Sequence, residues 1–256
     1  MLYFKNKAYL CTMKQYGLIG KTLSHSWSQR WFEDMFEREG ITYARYRLYE
    51  MSDLANLREW VADNDIRGFN VTIPYKQAVI PHLDRLDEAA QTIGAVNCVE
   101  VTDGQLIGHN TDAPAFLDTF RPLLQPHHTA ALLLGTGGAS KSVGYALRQL
   151  GIDYQLVSRT PEQHANAVSY SDAAHLAANH LLIINATPVG TFPNVDDTPW
   201  PHPHLLGCRH LCYDLVYNPS PTRFLREAAT AGAQTIGGLP MLERQALLSW
   251  TLWENK

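Results

Sequence analysis

The chain has 256 residues, 45% of them hydrophobic and 18% charged, with a formal net charge of −4. This length suits one large domain or two ordinary ones with separate cores, and the scattered charges exclude the basic stripe of a nucleic-acid binder. No apolar run approaches the roughly 20 residues of a membrane helix, and the six Trp and twelve Tyr are not interleaved with Lys and Arg as a single-strand platform requires.

The opening MLYFKNKAYLCTM lacks the continuous apolar segment and small-residue cleavage site of a signal peptide. Met13, just before the first convincing strand, competes with Met1 as the native start, which would make residues 1–12 an upstream extension. Strands are predicted at QYGLIG, TYARYRLY and GFNVTI. Between the first two, SQRWFEDMFEREG places Trp31, Phe32, Met35 and Phe36 at helical spacing and stops at Gly40. ADNDIRG closes a further helix, and DRLDEAAQTI reads as another. The strands VNCVEV and QLIGHN flank a Thr102-Asp103-Gly104 turn, a hairpin signal that implies one antiparallel strand in a mostly parallel sheet.

From about residue 115 the texture changes. FLDTFRPLLQPHH reads as a helix and a linker, TAALLLG as a strand buried on both faces, and GTGGASKSVGYALRQLG as a glycine turn opening a helix. DYQLVSR, LLIINATPVG and HLCYDLVY continue the series, which suits a doubly wound sheet. The final LPMLERQALLSWTLW is a helix with no strand after it, expected to fold back on the first unit. The expected fold is therefore α/β: an N-terminal, mostly parallel unit over residues 13–114, completed by residues 239–256, and a Rossmann unit over 115–238.

Leu134-Gly135-Thr136-Gly137-Gly138-Ala139-Ser140 can cradle a dinucleotide. Gly135 permits the tight turn and Gly137 lets the backbone approach a pyrophosphate at the helix N-terminus; Ser140 replaces the third glycine. Where an NAD site carries an acid at the end of the second strand, this chain has Ser158-Arg159-Thr160. The guanidinium suits the 2′-phosphate of NADP; otherwise Arg159 is a solvated surface side chain. In the first unit, Ser26 and Ser28 precede a helix and could hold a carboxylate, or one could simply cap it. Asn70 and Thr72 share a strand face, and Lys76 is expected at a helix start, where the dipole disfavours its charge and could equip it to exchange a proton; taken by itself it reads equally as a surface lysine. The four cysteines show no disulfide framework. His202, His204, Cys208, His210 and Cys212 raise a zinc site, but strand alternation would split them between faces, so no metal is expected and the thiols fit a reduced, cytoplasmic protein.

Eight motifs then occur together. They are His25-Ser26-x-Ser28, Asn70-Val71-Thr72-Ile73-Pro74-x-Lys76, Gly94-Ala95-Val96-Asn97, Gly108-x-Asn110-Thr111-Asp112, Gly135-x-Gly137-Gly138-Ala139, Asn185-Ala186-Thr187, Tyr213-Asp214-x-x-Tyr217 and Gly238-Leu239-x-Met241-Leu242-x-x-Gln245. In order and spacing the chain resembles the shikimate dehydrogenases over residues 15–250. The resemblance implies NADPH-dependent, reversible reduction of 3-dehydroshikimate. It implies Lys76 and Asp112 as the catalytic pair, and Ser26 and Ser28 as carboxylate ligands. Thr72, Asn97, Tyr217 and Gln245, with Lys76 and Asp112, would complete the substrate site. Gly135, Thr136, Gly137, Gly138, Ala139, Ser158, Arg159 and Thr160 would hold NADP, with Leu215 and Gly238 at the nicotinamide end.

Several residues depart from the family pattern. Ser158 stands where Asn is usual, Gln163 where a second base is expected, and Thr22 and Gln29 where proline is frequent, which should loosen that loop. The expected partner is a small molecule rather than nucleic acid or membrane, with the chain a monomer or homodimer. Three competing readings are an NAD-using quinate/shikimate dehydrogenase, a non-catalytic sensor of shikimate-like acids and a folate-linked dehydrogenase. Arg159, the retained Lys76 and Asp112, and the Ser26/Ser28 motif argue against them in turn.

Overall fold

The computed structural model describes residues 13–24 and 26–254; the opening segment, Cys11 and His25 lie outside the described residues. The chain alternates strands and helices throughout. In order these are β1 (Lys14–Gly20), α1 (Ser28–Arg38), β2 (Ala44–Glu50), α2 (Leu57–Asp63), β3 (Ile66–Val71), α3 (Tyr75–Ala78), β4 (Arg85–Leu86), α4 (Glu88–Ile93), β5 (Cys98–Thr102), β6 (Gln105–His109) and α5 (Asp112–Phe120). The second half has β7 (Ala130–Leu134), α6 (Gly138–Gln149), β8 (Asp153–Val157), β9 (Ala167–Val168), α7 (Tyr170–Leu176), β10 (Leu182–Asn185), β11 (Leu211–Asp214), α8 (Arg223–Thr230), β12 (Gln234–Ile236) and α9 (Leu239–Glu254).

Two six-stranded sheets result, in the orders β2-β1-β3-β5-β6-β4 and β12-β11-β10-β7-β8-β9. In the first, β5 runs antiparallel to both β3 and β6, whereas β1–β2, β1–β3 and β4–β6 pair in parallel. The hairpin turn was legible because Asp103 and Gly104 take φ values of 51° and 75°, the left-handed pair that a two-residue turn requires. The expected helix over DRLDEAAQTI is shorter. Arg85 and Leu86 pair with Ile107 and Gly108 as β4, and Asp87 caps α4 by accepting from the Ala90 N–H at 2.6 Å.

The second sheet is parallel throughout, with helices on both faces. Leu132 and Leu134 face one layer with Trp200 and Phe224, while Leu133 faces the other with Phe116, Phe120 and Val143. Burial on both faces explains the uninterrupted apolar strand. Of the suspected zinc ligands, Cys212 is buried in this core, while His210 Nδ1 accepts from the Gly207 N–H at 3.1 Å and Nε2 lies 3.1 Å from the Ala177 carbonyl; Cys208 is exposed.

Helix α9 returns to the first sheet. Trp253 stacks on Tyr16 with a 5.0 Å centroid separation, donates to the Val99 carbonyl at 3.0 Å, and covers Gly68, where any Cβ would fall 2.4 Å from the indole. Glu254 accepts from Tyr16 (2.6 Å), Lys14 (2.9 Å) and Tyr43 (2.9 Å). These bonds hold its carboxyl below the usual carboxylate range against the opposing effect of burial, which is the largest single influence.

A second buried histidine gives the fold an acid sensitivity. His128 Nδ1 accepts from the Gln125 N–H at 3.1 Å while Nε2 faces the Arg209 carbonyl at 3.1 Å, an arrangement of the neutral ring. Burial lowers its affinity for a proton in the folded state. Its contribution is therefore complete above the unfolded histidine pKa of about 6.5 and is lost as pH falls through the lower folded value. The thermal midpoint should drop between pH 7.5 and pH 5.5, and by less in His128→Gln; equal drops would remove His128 as the cause.

Candidate active site

The C-terminal ends of β1, β3, β10 and β11 and the start of α9 converge on a cavity of about 700 Å³ between the two sheets. It is lined by Ser26, Ser28, Thr72, Lys76, Asn97, Asp112, Tyr217 and Gln245, and also by Ala139, Leu215 and Gly238. The remaining expected nucleotide residues lie outside it, on the glycine loop and at the β8 tip.

The polar floor is a hydrogen-bonded knot. Lys76 Nζ donates to Asp112 Oδ2 at 2.5 Å, with side-chain exposures of 17% and 6%. Asp112 Oδ1 accepts from Asn97 Nδ2 at 2.9 Å, and the same amide reaches Thr111 Oγ1 at 2.8 Å and Gln245 Oε1 at 3.3 Å. Asn97 Oδ1 accepts from the Thr111 N–H at 2.6 Å, which fixes the amide's orientation. The Asp112 carboxylate is thus locked on one oxygen and presents the other to Lys76. Helix α3 is a single turn, Tyr75–Ala78, so a helix dipole has little weight at Lys76; the Asp112 charge is what faces its ammonium.

Sequence reasoning left some of the knot unassigned. Buried Asn70 accepts from the Tyr46 hydroxyl at 2.9 Å and donates to the Asn97 carbonyl at 3.1 Å and to Ser249 Oγ at 2.8 Å. Thr111 Oγ1 lies 3.2 Å from Ser249 Oγ. Ser249 sits one helical turn beyond Gln245 and donates to its carbonyl at 2.9 Å. A serine between Leu248 and Trp250, one turn after Gln245, was the available signal.

Ser26 Oγ accepts from the Ser28 N–H at 3.3 Å, so it does some capping, yet both serines face the cavity. The loop that lacks prolines at Thr22 and Gln29 is pinned differently. The Leu23 N–H donates to Glu50 at 2.7 Å, the Ser26 N–H to the Leu23 carbonyl at 2.8 Å, and Gln29 to Glu33 at 2.8 Å. Across the cavity, burial pushes the Tyr217 phenol above its usual range, while the backbone N–H of Trp27 draws it back.

The glycine loop fits a dinucleotide. Gly135 has φ 107°, and an added Cβ there would meet Thr187 Cγ2 at 2.8 Å. Gly137 is the N-cap of the twelve-residue α6 with no side-chain cap, and a Cβ there would meet nothing within 4 Å. Free N–H groups therefore face open space for a diphosphate. Ser140, at the third glycine position, tucks its hydroxyl onto the Gly135 carbonyl at 2.6 Å. At the β8 tip, buried Ser158 accepts from the Thr160 N–H at 3.1 Å and shapes the turn that exposes Arg159. The loop also touches the polar knot, since a Cβ on Gly138 would sit 2.9 Å from Lys76 Cβ.

A doubly wound sheet that brings a dinucleotide loop against a lysine–carboxylate pair on the floor of a shared cavity defines a nicotinamide-dependent oxidoreductase. A sequence model of the shikimate dehydrogenase substrate binding domain matches residues 18–99, and the shikimate dehydrogenase (NADP(+)) of Thermus thermophilus is 36% identical, over 94% of this chain and 92% of that protein. The chain belongs to the shikimate dehydrogenase family. A crystal structure of shikimate 5-dehydrogenase from Thermus thermophilus in complex with NADP(H) and shikimate matches with a TM-score of 0.84 and 35% identity, over 95% of this chain and 94% of that one. Quinate dehydrogenase from Corynebacterium glutamicum in complex with NAD has the same TM-score of 0.84 but 27% identity, over 96% of this chain and 95% of that one.

Proposed function

We propose that this protein reduces 3-dehydroshikimate to shikimate with NADPH, reversibly, as a step of chorismate and aromatic amino acid biosynthesis. The observation that carries this reading is the Lys76–Asp112 pair, 2.5 Å apart at the floor of a cavity bordered by a dinucleotide loop. Residues 13–114 with 239–256 form the substrate unit and residues 115–238 the cofactor unit, acting in the cytoplasm on a small molecule as a monomer or homodimer.

Ser26 and Ser28 hold the substrate carboxylate, while Thr72, Asn97, Tyr217 and Gln245 take the ring hydroxyls. Gly135, Thr136, Gly137, Gly138 and Ala139 cradle the diphosphate, Ser158, Arg159 and Thr160 take the adenosine end, and Leu215 and Gly238 border the nicotinamide. NADPH held by these residues would supply a hydride for the carbonyl carbon. Lys76 delivers a proton to the carbonyl oxygen and takes it back in the reverse direction. Asp112, locked by Asn97, keeps the ammonium pointed at that oxygen.

Described residues include no helix long and apolar enough to cross a membrane. Purified protein given shikimate and NADP should generate reduced-nicotinamide absorbance, and do so more efficiently than with quinate or NAD. Binding of shikimate without turnover at any pH would favour the sensor reading. Arg159→Ala should weaken NADP about tenfold or more, since a charge-assisted bond to phosphate is worth about 1.5–3 kcal/mol. NAD, which lacks the 2′-phosphate, should be nearly unaffected; equal losses in a binding titration would remove Arg159 from the phosphate site.

A further inference from the structure

Arg159 answers only part of the charge that NADP brings. A phosphate monoester carries about −1.5 to −2 near neutral pH, and one guanidinium supplies a single positive charge. Gln163 is uncharged. The residue after it, however, folds back toward the glycine loop. After the β8 tip, Pro161–Gln163 makes one 3-10 turn, held by the Gln163 N–H to the Thr160 carbonyl at 3.1 Å and the His164 N–H to the Pro161 carbonyl at 3.0 Å. The His164 carbonyl then accepts from the Ala167 N–H at 3.2 Å. This path brings His164 Nε2 to 3.1 Å from Thr136 Oγ1.

The imidazole therefore bridges the β7–α6 loop and the segment following β8. In a Rossmann sheet the adenosine ribose lies between those two segments, with its 2′ substituent toward the end of the second strand. His164 is half-buried there, and among the described residues no hydrogen bond occupies its Nδ1. When both ring nitrogens carry protons, Nε2–H donates to Thr136 and Nδ1–H is left to donate elsewhere. The charged and titratable groups about it are exposed Arg159 at the strand tip, exposed Glu162 on the same turn, and Tyr170 at the start of α7, whose phenol senses the Arg159 charge. Residues 135–140 of the glycine loop have no titratable side chain, and Lys141 is drawn away to Gln77 at 2.7 Å.

We infer that His164 is a second ligand of the cofactor's 2′-phosphate and shares with Arg159 the selection of NADP over NAD. The inference rests on the NADP assignment above. Substitutions at His164 that remove, replace or recharge the ring donor therefore separate a phosphate ligand from a structural brace.

Dissociation constants for NADP and for NAD would be measured by calorimetry on the wild type, His164→Ala, His164→Gln and His164→Lys. His164→Ala should weaken NADP by about 3- to 10-fold, the scale of one partly exposed hydrogen bond. NAD binding should change less than about twofold, within the scatter expected of a surface substitution. His164→Lys should hold the NADP preference. His164→Gln can keep the bond to Thr136 without a charge, so it should behave like the alanine variant. Full rescue by glutamine, or equal losses for NADP and NAD, would make His164 a structural brace and overturn the inference. Failure of the NADP assignment itself looks different, as a wild type that does not prefer NADP over NAD. A wild type that prefers NADP and oxidises shikimate, with a preference untouched in every His164 variant, would overturn this inference alone.

Discussion

Lys76→Ala is expected to lower kcat by about 10²- to 10⁴-fold, the usual worth of a positioned general acid. In the proposed reaction, hydride arrival at the carbonyl carbon would leave negative charge on the oxygen, and Lys76, whose ammonium donates to Asp112 at 2.5 Å on the cavity floor, would supply the proton. KM should change less, because Ser26 and Ser28 sit on another wall of the cavity and keep their hold on the carboxylate. Lys76→Arg should not restore turnover, since a guanidinium does not release its proton near neutral pH. Asp112→Asn should also slow the reaction, and the double variant should lose less than the sum of the two, because the residues form one bonded unit. Steady-state kinetics in both directions checks this. A variant with near-normal kcat and a raised KM would make Lys76 a binding residue only.

The second large effect is expected at Gly238. Its N–H donates to the Val216 carbonyl at 3.1 Å, and its carbonyl accepts from the Leu242 N–H at 2.9 Å as α9 begins. A Cβ there would stand 2.1 Å from the Leu215 carbonyl oxygen and 2.5 Å from its carbon. Both neighbours are backbone, so no rotamer can relieve the clash and α9 must move away from the Leu215–Tyr217 loop. Gly238→Ala should cost about 2–4 kcal/mol, or roughly 5–15 °C in Tm for a chain of this size. Substrate affinity should fall with it, because Gln245 and Tyr217 separate. Gly207→Ala is the control, as an added Cβ there meets nothing within 4 Å. Equal midpoints for the two variants would show that the crowded backbone yields at no cost.

Much of this architecture was legible where one residue type admits one local geometry. Asp103-Gly104 wrote the hairpin, Gly40 stopped α1 at a φ of 66°, and the run of leucines before Gly135 marked a strand covered on both sides. What escaped depended on partners distant in sequence. Arg85–Leu86 is too short to show a period and becomes a strand only by pairing with Ile107–Gly108. Helices α7 and α8 follow stretches rich in Ser, Pro and Asn. Their N-caps were the overlooked signal, since Ser169 accepts from the Asp172 N–H at 3.1 Å and Thr222 from the Leu225 N–H at 3.4 Å. In the candidate site, motif spacing named Lys76, Asp112 and Asn97. It named Asn70 without a role and did not reveal Ser249, to which Asn70 is joined across 179 positions of chain. Nor did spacing distinguish Ser158, which shapes its turn from a buried position, from exposed Arg159 beside it.

The return of α9 has a consequence for synthesis on the ribosome. The first sheet is made by His109, but Trp253, which fills the space over Gly68 and stacks on Tyr16, follows the whole of the second sheet in the chain. At ribosomal rates of about 5–20 residues per second, the intervening chain takes roughly 7–30 s to appear. During that interval the Tyr16, Phe32 and Tyr46 side of the sheet lacks its closing tryptophan, while the second sheet, from β7 to β12, emerges with all its strands. The first sheet is thus completed only after the second, and the nascent chain carries an uncovered aromatic surface of the kind that chaperones bind.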